Sequence, residues 1–269
     1  MTMTLKEHCT EICQLVQNVT KDGAESSLPN NNNLINCSHY VVNGAWKGSK
    51  LRFFSFPASD PLYVFIIDEW QIFFPNLYIR LPPTGHDSNF LSSLADHASF
   101  STAPGENNAV DLVFYMDEEQ RQKLLQMPLE TPNCSKIDLN KDLDTIHNAW
   151  PYGFCTDVGV TRSRIECLPY ACIKTSEEGE LTSWELTHNF GMVSHLFVQR
   201  AHRSLGLQPL TELKNVQEYI RRGLRSFKFA AMENESVVRG TMKHPLWTNW
   251  TRANGSPLYW TFTVLEKSA

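Results

Sequence analysis

Residues 181–207 read LTSWELTHNFGMVSHLFVQRAHRSLGL, and they decide the fold. Two runs rich in apolar and β-branched residues, 181–188 and 192–199, are typical of adjacent strands. They lead into the turn Arg203-Ser-Leu-Gly206, and a helical pattern follows over 210–225. A glycine turn between a strand and a helix leaves several backbone N–H groups unpaired, at a point where the helix dipole favours negative charge. The stretch therefore predicts a site for a phosphate group.

The segments on either side complete an alternation of strands and helices. Before the stretch we expect a helix at 143–150, a helix that ends before Pro169, and a hairpin of strands 170–175 and 181–188. After it we expect a strand at 227–232, a short helix over 234–243 and a last strand at 258–265. These elements predict an α/β (α+β) protein with a mixed, largely antiparallel sheet and flanking helices.

The first half of the chain has the same mixed character without a chemical motif. Apolar residues within 4–20 recur at helical spacing and predict an amphipathic helix, while 50–56, 62–68, 77–81 and 109–116 have the composition of strands. Helices are also expected over 89–100 and from Asp117 onward. The polar passage 130–140 is the predicted linker. It divides the chain into an N-terminal half, 1–138, and a C-terminal half, 139–269.

Composition limits the classes of partner. The formal net charge is −5, and the basic residues form no patch of the kind that binds nucleic acid. The seven cysteines are an odd set without paired short spacings, which favours reduced thiols over disulfides or a metal site. No apolar run reaches the roughly 20 residues that cross a membrane, and no export or transit signal is evident. We therefore expect a cytoplasmic protein with no metal, no nucleic acid and no membrane among its partners.

Five short motifs, taken in order, resemble a known family. They are Trp150-Pro-Tyr-Gly153, Trp184-Glu-Leu186, Gly191, Arg203-Ser-Leu-Gly206-Leu207 and Asn234-Glu-Ser236. Their order and spacing are similar to the acyl-CoA-binding core of the GCN5-related N-acetyltransferase (GNAT) superfamily, and within it most resemble the glycine N-acyltransferase family. The match covers about 142–250. It implies a GNAT-like acyl-CoA N-acyltransferase fold in two halves, with transfer of an acyl group from coenzyme A (CoA) to the amino group of glycine or another small amine.

The resemblance also implies which residues bind acyl-CoA. In the superfamily, the strand before the glycine turn splays from its neighbour and pairs with the pantetheine arm. Leu196, Phe197 and Val198 have that place here. Pyrophosphate binding falls to Arg203, Ser204, Leu205, Gly206 and Leu207, and Asn234 and Ser236 fall near the arm. An ordinary surface turn at 203–206 and a helix cap at Asn234 remain open as alternatives.

The catalytic residues are less clearly indicated. Acyl transfer needs a neutral amine, a stabilised oxyanion and a proton for the departing thiolate. In glycine N-acyltransferases a glutamate just after the glycine turn is thought to be the base, and this sequence has Met192 there. Candidate replacements are Glu185, His188 and His195, each of which has a purely structural role as its alternative. In a regular strand His195 would point away from the expected site, unless a bulge shifts the register.

Three functions therefore stay open from the sequence. The first is an N-acyltransferase. The second is a non-catalytic acyl-CoA-binding protein in which loss of the glutamate reflects loss of turnover. The third is a structural or partner-binding protein that binds no CoA.

Overall fold

The structure is a computed structural model, and it describes residues 6–8, 50–56, 63–69, 76–80, 100–102, 109–129, 136–151, 153, 157–188, 191–251, 255–257, 259–262 and 265–267. Its strands are β1 Lys6–His8, β2 Lys50–Phe56, β3 Tyr63–Glu69, β4 Asn76–Arg80, β5 Phe100–Thr102, β6 Ala109–Tyr115, β7 Tyr170–Lys174, β8 Leu181–Thr187, β9 Val193–Val198, β10 Phe227–Ala231, β11 Thr248–Asn249, β12 Tyr259–Phe262 and β13 Leu265–Lys267. Its helices are α1 Glu118–Gln126, α2 Leu143–Ala149, α3 Val158–Cys167, α4 Leu207–Arg221 and α5 Glu235–Lys243. A turn of 3₁₀ helix covers Arg200–His202.

The strands form a small sheet and a large one, with one further pair. The first sheet has the antiparallel order β1-β2-β3-β4. The large sheet has the order β11-β6-β10-β9-β8-β7, and β12 also pairs with β6. Its only parallel pair among the described strands is β9 with β10; its other pairs are antiparallel. The predicted mixed, largely antiparallel sheet with flanking helices is confirmed.

Strand pairing links the two ends of the sequence. β6 lies in the first half of the sequence, and all five residues of β10 pair with it, from Phe227↔Tyr115 to Ala231↔Asp111. β13, close to the C-terminus, pairs with β5 of the first half. The large sheet thus draws strands from both sides of the predicted boundary at 138/139, which stays a prediction.

Helices cover both faces of the large sheet. On one face, α4 and α1 contribute Val216, Tyr219 and Leu124 to a core that includes Phe114 of β6. On the other, α2 and α3 contribute Ile146 and Ile165, which pack with Trp184 and Leu186 of β8. An ion pair with both side chains buried, Lys174 Nζ to Asp142 Oδ2 at 2.7 Å, joins β7 to the start of α2.

Most predicted elements are confirmed within four residues at each end, and three predictions need correction. Residues 6–8, predicted to be helical, form β1 because the edge of β2 pairs with them; the rest of 4–20 lies outside the described residues. Phe100, the end of a predicted helix, begins β5, and 89–99 lie outside the described residues. The last predicted strand is divided into β12 and β13. α4 begins at Leu207, before Pro209, because the first turn of a helix tolerates proline.

Candidate functional site

The turn before α4 has two residues in the left-handed conformation. Ser204 has φ +63° and Gly206, the N-cap residue, has φ +75°. Gly206 has no side chain that could cap the first turn of α4, and Pro209 in that turn has no N–H group. The N–H groups of Leu207 and Gln208 are therefore left to be satisfied from outside the helix. Left-handed residues within a turn and the positive end of a helix dipole together form a concave site for an anion.

Positive charge lies beside this turn. Arg203 donates from Nε to the backbone oxygen of Val198 at 3.2 Å, and its guanidinium carbon lies 5.9 Å from the centre of the Phe197 ring. Arg200 is exposed one turn earlier, and Ser204, Leu205 and Gly206 are exposed as well. A ligand can therefore reach the turn from solvent, and Arg203, which belongs to the turn, can contribute a charge-assisted bond.

Next to the turn, β9 separates from β10. The two parallel strands share a single registered pair, Val193↔Lys228, and among the described strands the rest of β9 pairs only with β8 on its other side. At about 3.3 Å per residue, the free edge from Ser194 to Val198 is roughly 13 Å long. The predicted splay is confirmed. Among the described residues, it leaves this edge of β9 without a strand partner; the Val198 carbonyl oxygen accepts the bond from Arg203 instead.

A β-bulge interrupts β9 at His195. Trp184 pairs with Phe197 and Leu186 with Ser194, so that His195 and Leu196 both lie opposite the single residue Glu185. His195 has φ +59°, a conformation that few residues other than glycine adopt. The extra residue shifts the faces of the strand, so the predicted bulge is present; a role for His195 in catalysis stays a prediction.

The bulge directs His195 toward α3. Its Nε2 lies 3.1 Å from Nη1 of Arg164, and its ring centre is 3.9 Å from that of Trp150. Phe197 stacks on Trp184 on the same side, whereas Val193 packs in the core on the α4 side. Arg164 is only 3% exposed, and its guanidinium carbon lies 5.1 Å from the Trp150 ring centre. A buried cation, an imidazole and an indole are therefore packed against one another.

Two more histidines belong to this cluster. Burial lowers the pKa of His188 well below its usual value, and the charge of Arg164 lowers it further. Burial also lowers the pKa of His195 well below its usual value. The charge of Arg164 lowers this pKa further, and the neighbouring His188 and His147 have smaller effects in the same direction. His147 Nδ1 lies 3.0 Å from Thr161 Oγ1. His188 and His195 are therefore uncharged at neutral pH.

Glu185 lies on the opposite face of the sheet. Its Oε2 accepts a bond from Asn215 Nδ2 at 3.1 Å, in the layer of α4. Burial raises its pKa well above the ordinary value, and the nearby Glu212 raises it further. Glu212 itself pairs with Lys228 at 2.6 Å, in the same buried layer. The structure thus separates the three candidate catalytic residues: His188 and His195 lie near Arg164, and Glu185 does not.

The start of α5 follows the simpler of its two predicted alternatives. The side chain of Asn234 accepts the N–H of Val237 at 3.4 Å and the hydroxyl of Ser236 at 3.0 Å. Asn234 is thus the helix cap, and both Asn234 and Ser236 are exposed. Their role beside a ligand stays a prediction.

Comparison with known proteins identifies the arrangement of strands and helices. No protein-family model matches this sequence, and no curated protein matches it. A Drosophila protein of known structure has a TM-score of 0.66 at 14% identity, over 93% of this chain and 98% of its own. A tandem GNAT protein from the clavulanic acid biosynthesis pathway has a TM-score of 0.51 at 11% identity, over 97% of this chain and 98% of its own. The chain has the GNAT fold. The motif Trp184-Glu-Leu186 lies on β8, and the motif Arg203-Ser-Leu-Gly206-Leu207 leads into α4.

Arg164 is not among the residues that the sequence motifs indicate, although the sequence contains a signal for it. The buried residues of α3 include Val160, Thr161, Arg164 and Ile165, which form one face at helical spacing. A single arginine on an otherwise uncharged helix face is uncommon and would have marked it. The sequence indicates Trp150 only as part of the motif Trp150-Pro-Tyr-Gly153.

The structure offers neither a metal centre nor a membrane segment among the residues it describes. No group of three or more His, Cys, Asp or Glu side chains there is arranged to hold a metal ion. Within the same residues, every helix is too short or too polar to cross a membrane.

Proposed function

We propose that the protein is an acyl-CoA-dependent N-acyltransferase that acylates the amino group of glycine or another small amine. One observation carries the proposal: the free edge of β9, open from Ser194 to Val198, leads directly from an uncapped helix start to the bulge at His195. A phosphate-terminated arm with amide groups has the chemistry that matches such an edge. The GNAT fold supports the same ligand class.

Each part of the ligand has its own partners in this proposal. The N–H groups of the turn and first helical turn, from Ser204 to Leu207, hold the pyrophosphate, with Arg203 as a charged partner. The backbone of Leu196, Phe197 and Val198 pairs with the amides of pantetheine. Because the backbone makes these bonds, the side chains of these three residues can be apolar.

Arg203 has to move when the ligand binds. In the structure its Nε bonds to the Val198 carbonyl oxygen, an acceptor that the pantetheine arm would use. We therefore propose that the arginine turns from the strand to the pyrophosphate.

The chemistry is a direct transfer within one ternary complex. The neutral amine attacks the thioester carbonyl carbon, the C–S bond breaks, the nitrogen loses one proton and the CoA thiolate gains one. His188 is our candidate for accepting the proton of the amine, directly or through water, because it is uncharged at neutral pH and lies near Arg164 and His195. Glu185 is a poorer candidate, since it lies on the α4 side of the sheet and burial raises its pKa.

Release of free thiol from acetyl-, benzoyl- and longer acyl-CoAs tests the proposal. The protein is incubated with each thioester and a panel of amines that begins with glycine, and the N-acyl product is identified by mass. We expect thiol release that depends on both the amine and the protein. His188→Ala should lower the rate, while His202→Ala, a half-buried histidine of the 3₁₀ turn, is the control. Release that is independent of the amine would refute N-acyl transfer.

One observation favours a non-catalytic acyl-CoA-binding protein instead. Met192, at the place of the family's glutamate, is buried and has no proton-accepting group. In that case acyl-CoA stabilises the protein but no thiol is released. Glycine-dependent turnover gained by Met192→Glu in an otherwise inactive protein would then show that only the base is missing. Our proposal also includes acyl-CoA and a small amine as the partners of the protein, and the cytoplasm as its location.

A further inference from the structure

The bond between Arg164 and His195 determines which nitrogen of the histidine carries the proton. Arg164 Nη1 lies 3.1 Å from His195 Nε2. A guanidinium has donors only, so Nε2 has to be the acceptor in this bond. The imidazole is therefore neutral, and its proton is on Nδ1. The indole of Trp150, with its ring centre 3.9 Å from that of His195, limits rotation of the ring.

This leaves a donor without an acceptor. His195 Nδ1 is buried and has no hydrogen-bond partner among the described residues. A buried donor without a partner destabilises a protein, and such groups are rare in native structures, where a catalytic role is one of their few explanations. Here the donor belongs to a residue in a left-handed bulge, which is itself an unfavourable conformation. His195 thus combines an unpaired buried donor with a left-handed backbone conformation. Both features point to a ligand that accepts a hydrogen bond from Nδ1.

The position of the bulge indicates which group of the ligand this is. His195 follows the last point of contact between β9 and β10 by two residues, at the closed end of the splay. A thioester arm that enters from α4 passes Val198, Phe197 and Leu196 before it reaches His195. Its reacting end therefore arrives at the bulge.

We propose that His195, held in its Nδ1–H form by Arg164, donates a hydrogen bond to the thioester carbonyl oxygen and stabilises the oxyanion of the transition state. His195 is then a catalytic residue that is not the base, and Arg164 is its positioning residue. The proposal rests on the acyl-CoA site proposed above and assigns the oxyanion donor within it.

Arg164 strengthens the donor as well as orienting it. A cation that donates to Nε2 withdraws electron density from the ring, so the Nδ1–H becomes a stronger donor, as in any polarised chain of hydrogen bonds. The carbonyl oxygen gains negative charge as the amine attacks and loses it when the C–S bond breaks. The Nδ1 proton stays on the ring throughout, so the proton released by the amine goes to another group.

Nitrogen NMR of the imidazole tests the assignment on the whole protein. With ¹⁵N-labelled histidine, the spectrum of the free protein should show His195 as the Nδ1–H tautomer at neutral pH. Acetonyl-CoA, a ketone analogue that keeps the carbonyl but cannot lose the thiol, should move the Nδ1–H signal downfield. CoA itself, which has no carbonyl, should bind without that shift.

The outcomes separate this inference from the proposed function. An Nε2–H tautomer or an imidazolium at neutral pH would overturn the inference alone. So would binding of acetonyl-CoA that leaves the Nδ1–H signal unmoved. If neither ligand binds at millimolar concentration, the acyl-CoA site itself is wrong, and the inference falls with it.

A pair of substitutions gives a second test in the enzyme. Asparagine and aspartate have the same shape, both tolerate a left-handed conformation, and both place an atom near the position of Nδ1. Only asparagine donates a hydrogen bond. We expect His195→Asn to keep kcat within about tenfold, and His195→Asp to lower kcat by about 100- to 1,000-fold with KM for acyl-CoA little changed. Equal kcat values for the two folded variants would contradict the donor role.

Discussion

Substitution of Gly206 by leucine should abolish CoA binding while leaving the protein folded. Gly206 has φ +75°, and a Cβ added there would have no heavy atom within 4 Å. The cost to the free protein is therefore the left-handed conformation alone, about 1–2 kcal/mol. That corresponds to a fall in Tm of roughly 2–8 °C for a chain of this size.

The effect on the ligand is much larger in the proposed complex. A leucine at the N-cap residue occupies the space in which the pyrophosphate meets the N–H groups of Leu207 and Gln208. Loss of two hydrogen bonds to a charged group, at about 1.5–3 kcal/mol each, weakens binding by at least about 100-fold. Isothermal titration of CoA into the wild-type protein and the variant measures the difference.

Gly255 supplies a matched control. It has φ +80°, and a Cβ there also meets nothing within 4 Å. It lies in the loop between β11 and β12, and β6 and β10 separate β11 from β9. Gly255→Leu should lower Tm about as much as Gly206→Leu and leave CoA affinity unchanged. Affinities that agree within threefold between the two variants would refute the placement of the pyrophosphate.

Three further predictions concern stability. Lys228→Met should lower the free energy of unfolding by about 3–5 kcal/mol, because Glu212, 2.6 Å from Lys228, would remain as an unpaired buried charge. Urea denaturation of the double variant Lys228→Met/Glu212→Leu should show most of this loss restored. A double variant as unstable as Lys228→Met alone would contradict the prediction. Burial raises the pKa of Asp111 to about 6, so its ionised form destabilises the fold increasingly as pH rises from about 4 through 6. Asp111→Asn should therefore raise Tm at pH 8 and change it little at pH 4; a gain at pH 4 alone would show the opposite sign. Asp117→Ala should cost about 1 kcal/mol, since it removes the reciprocal cap with Gln120, and an unchanged urea midpoint would count against that cap.

The elements of the second half could be predicted because local signals and tertiary structure agree there. The strand 227–231 and the α5 cap at Asn234 follow directly from residue type and spacing. At the N-terminus the signals conflict. Lys6–His8 lie in a run of helical spacing, but hydrogen bonds to β2 outweigh a helical preference that amounts to only tenths of a kcal/mol per residue. The pairing of β6 with β10, between residues more than 100 positions apart, has no local signal at all.

The site was predictable in its backbone part and not in its side chains. Gly206 and the strand before it indicate the splay and the helix start. No glycine marks the bulge at His195, so a regular alternation would direct this side chain to the wrong face. Its neighbours Arg164 and Trp150 come from α3 and the segment after α2, and only the packing of the helices on the sheet brings them together.

Equilibrium binding of acetyl-CoA to the wild-type protein tests the central claim most directly. Calorimetry should show one acetyl-CoA per chain, with affinity that decreases as salt concentration rises because the pyrophosphate contributes charge. Thermal shift should show a rise in Tm with ligand concentration. No heat of binding and no rise in Tm at saturating acetyl-CoA, benzoyl-CoA and a longer acyl-CoA would contradict both the site and the function built on it.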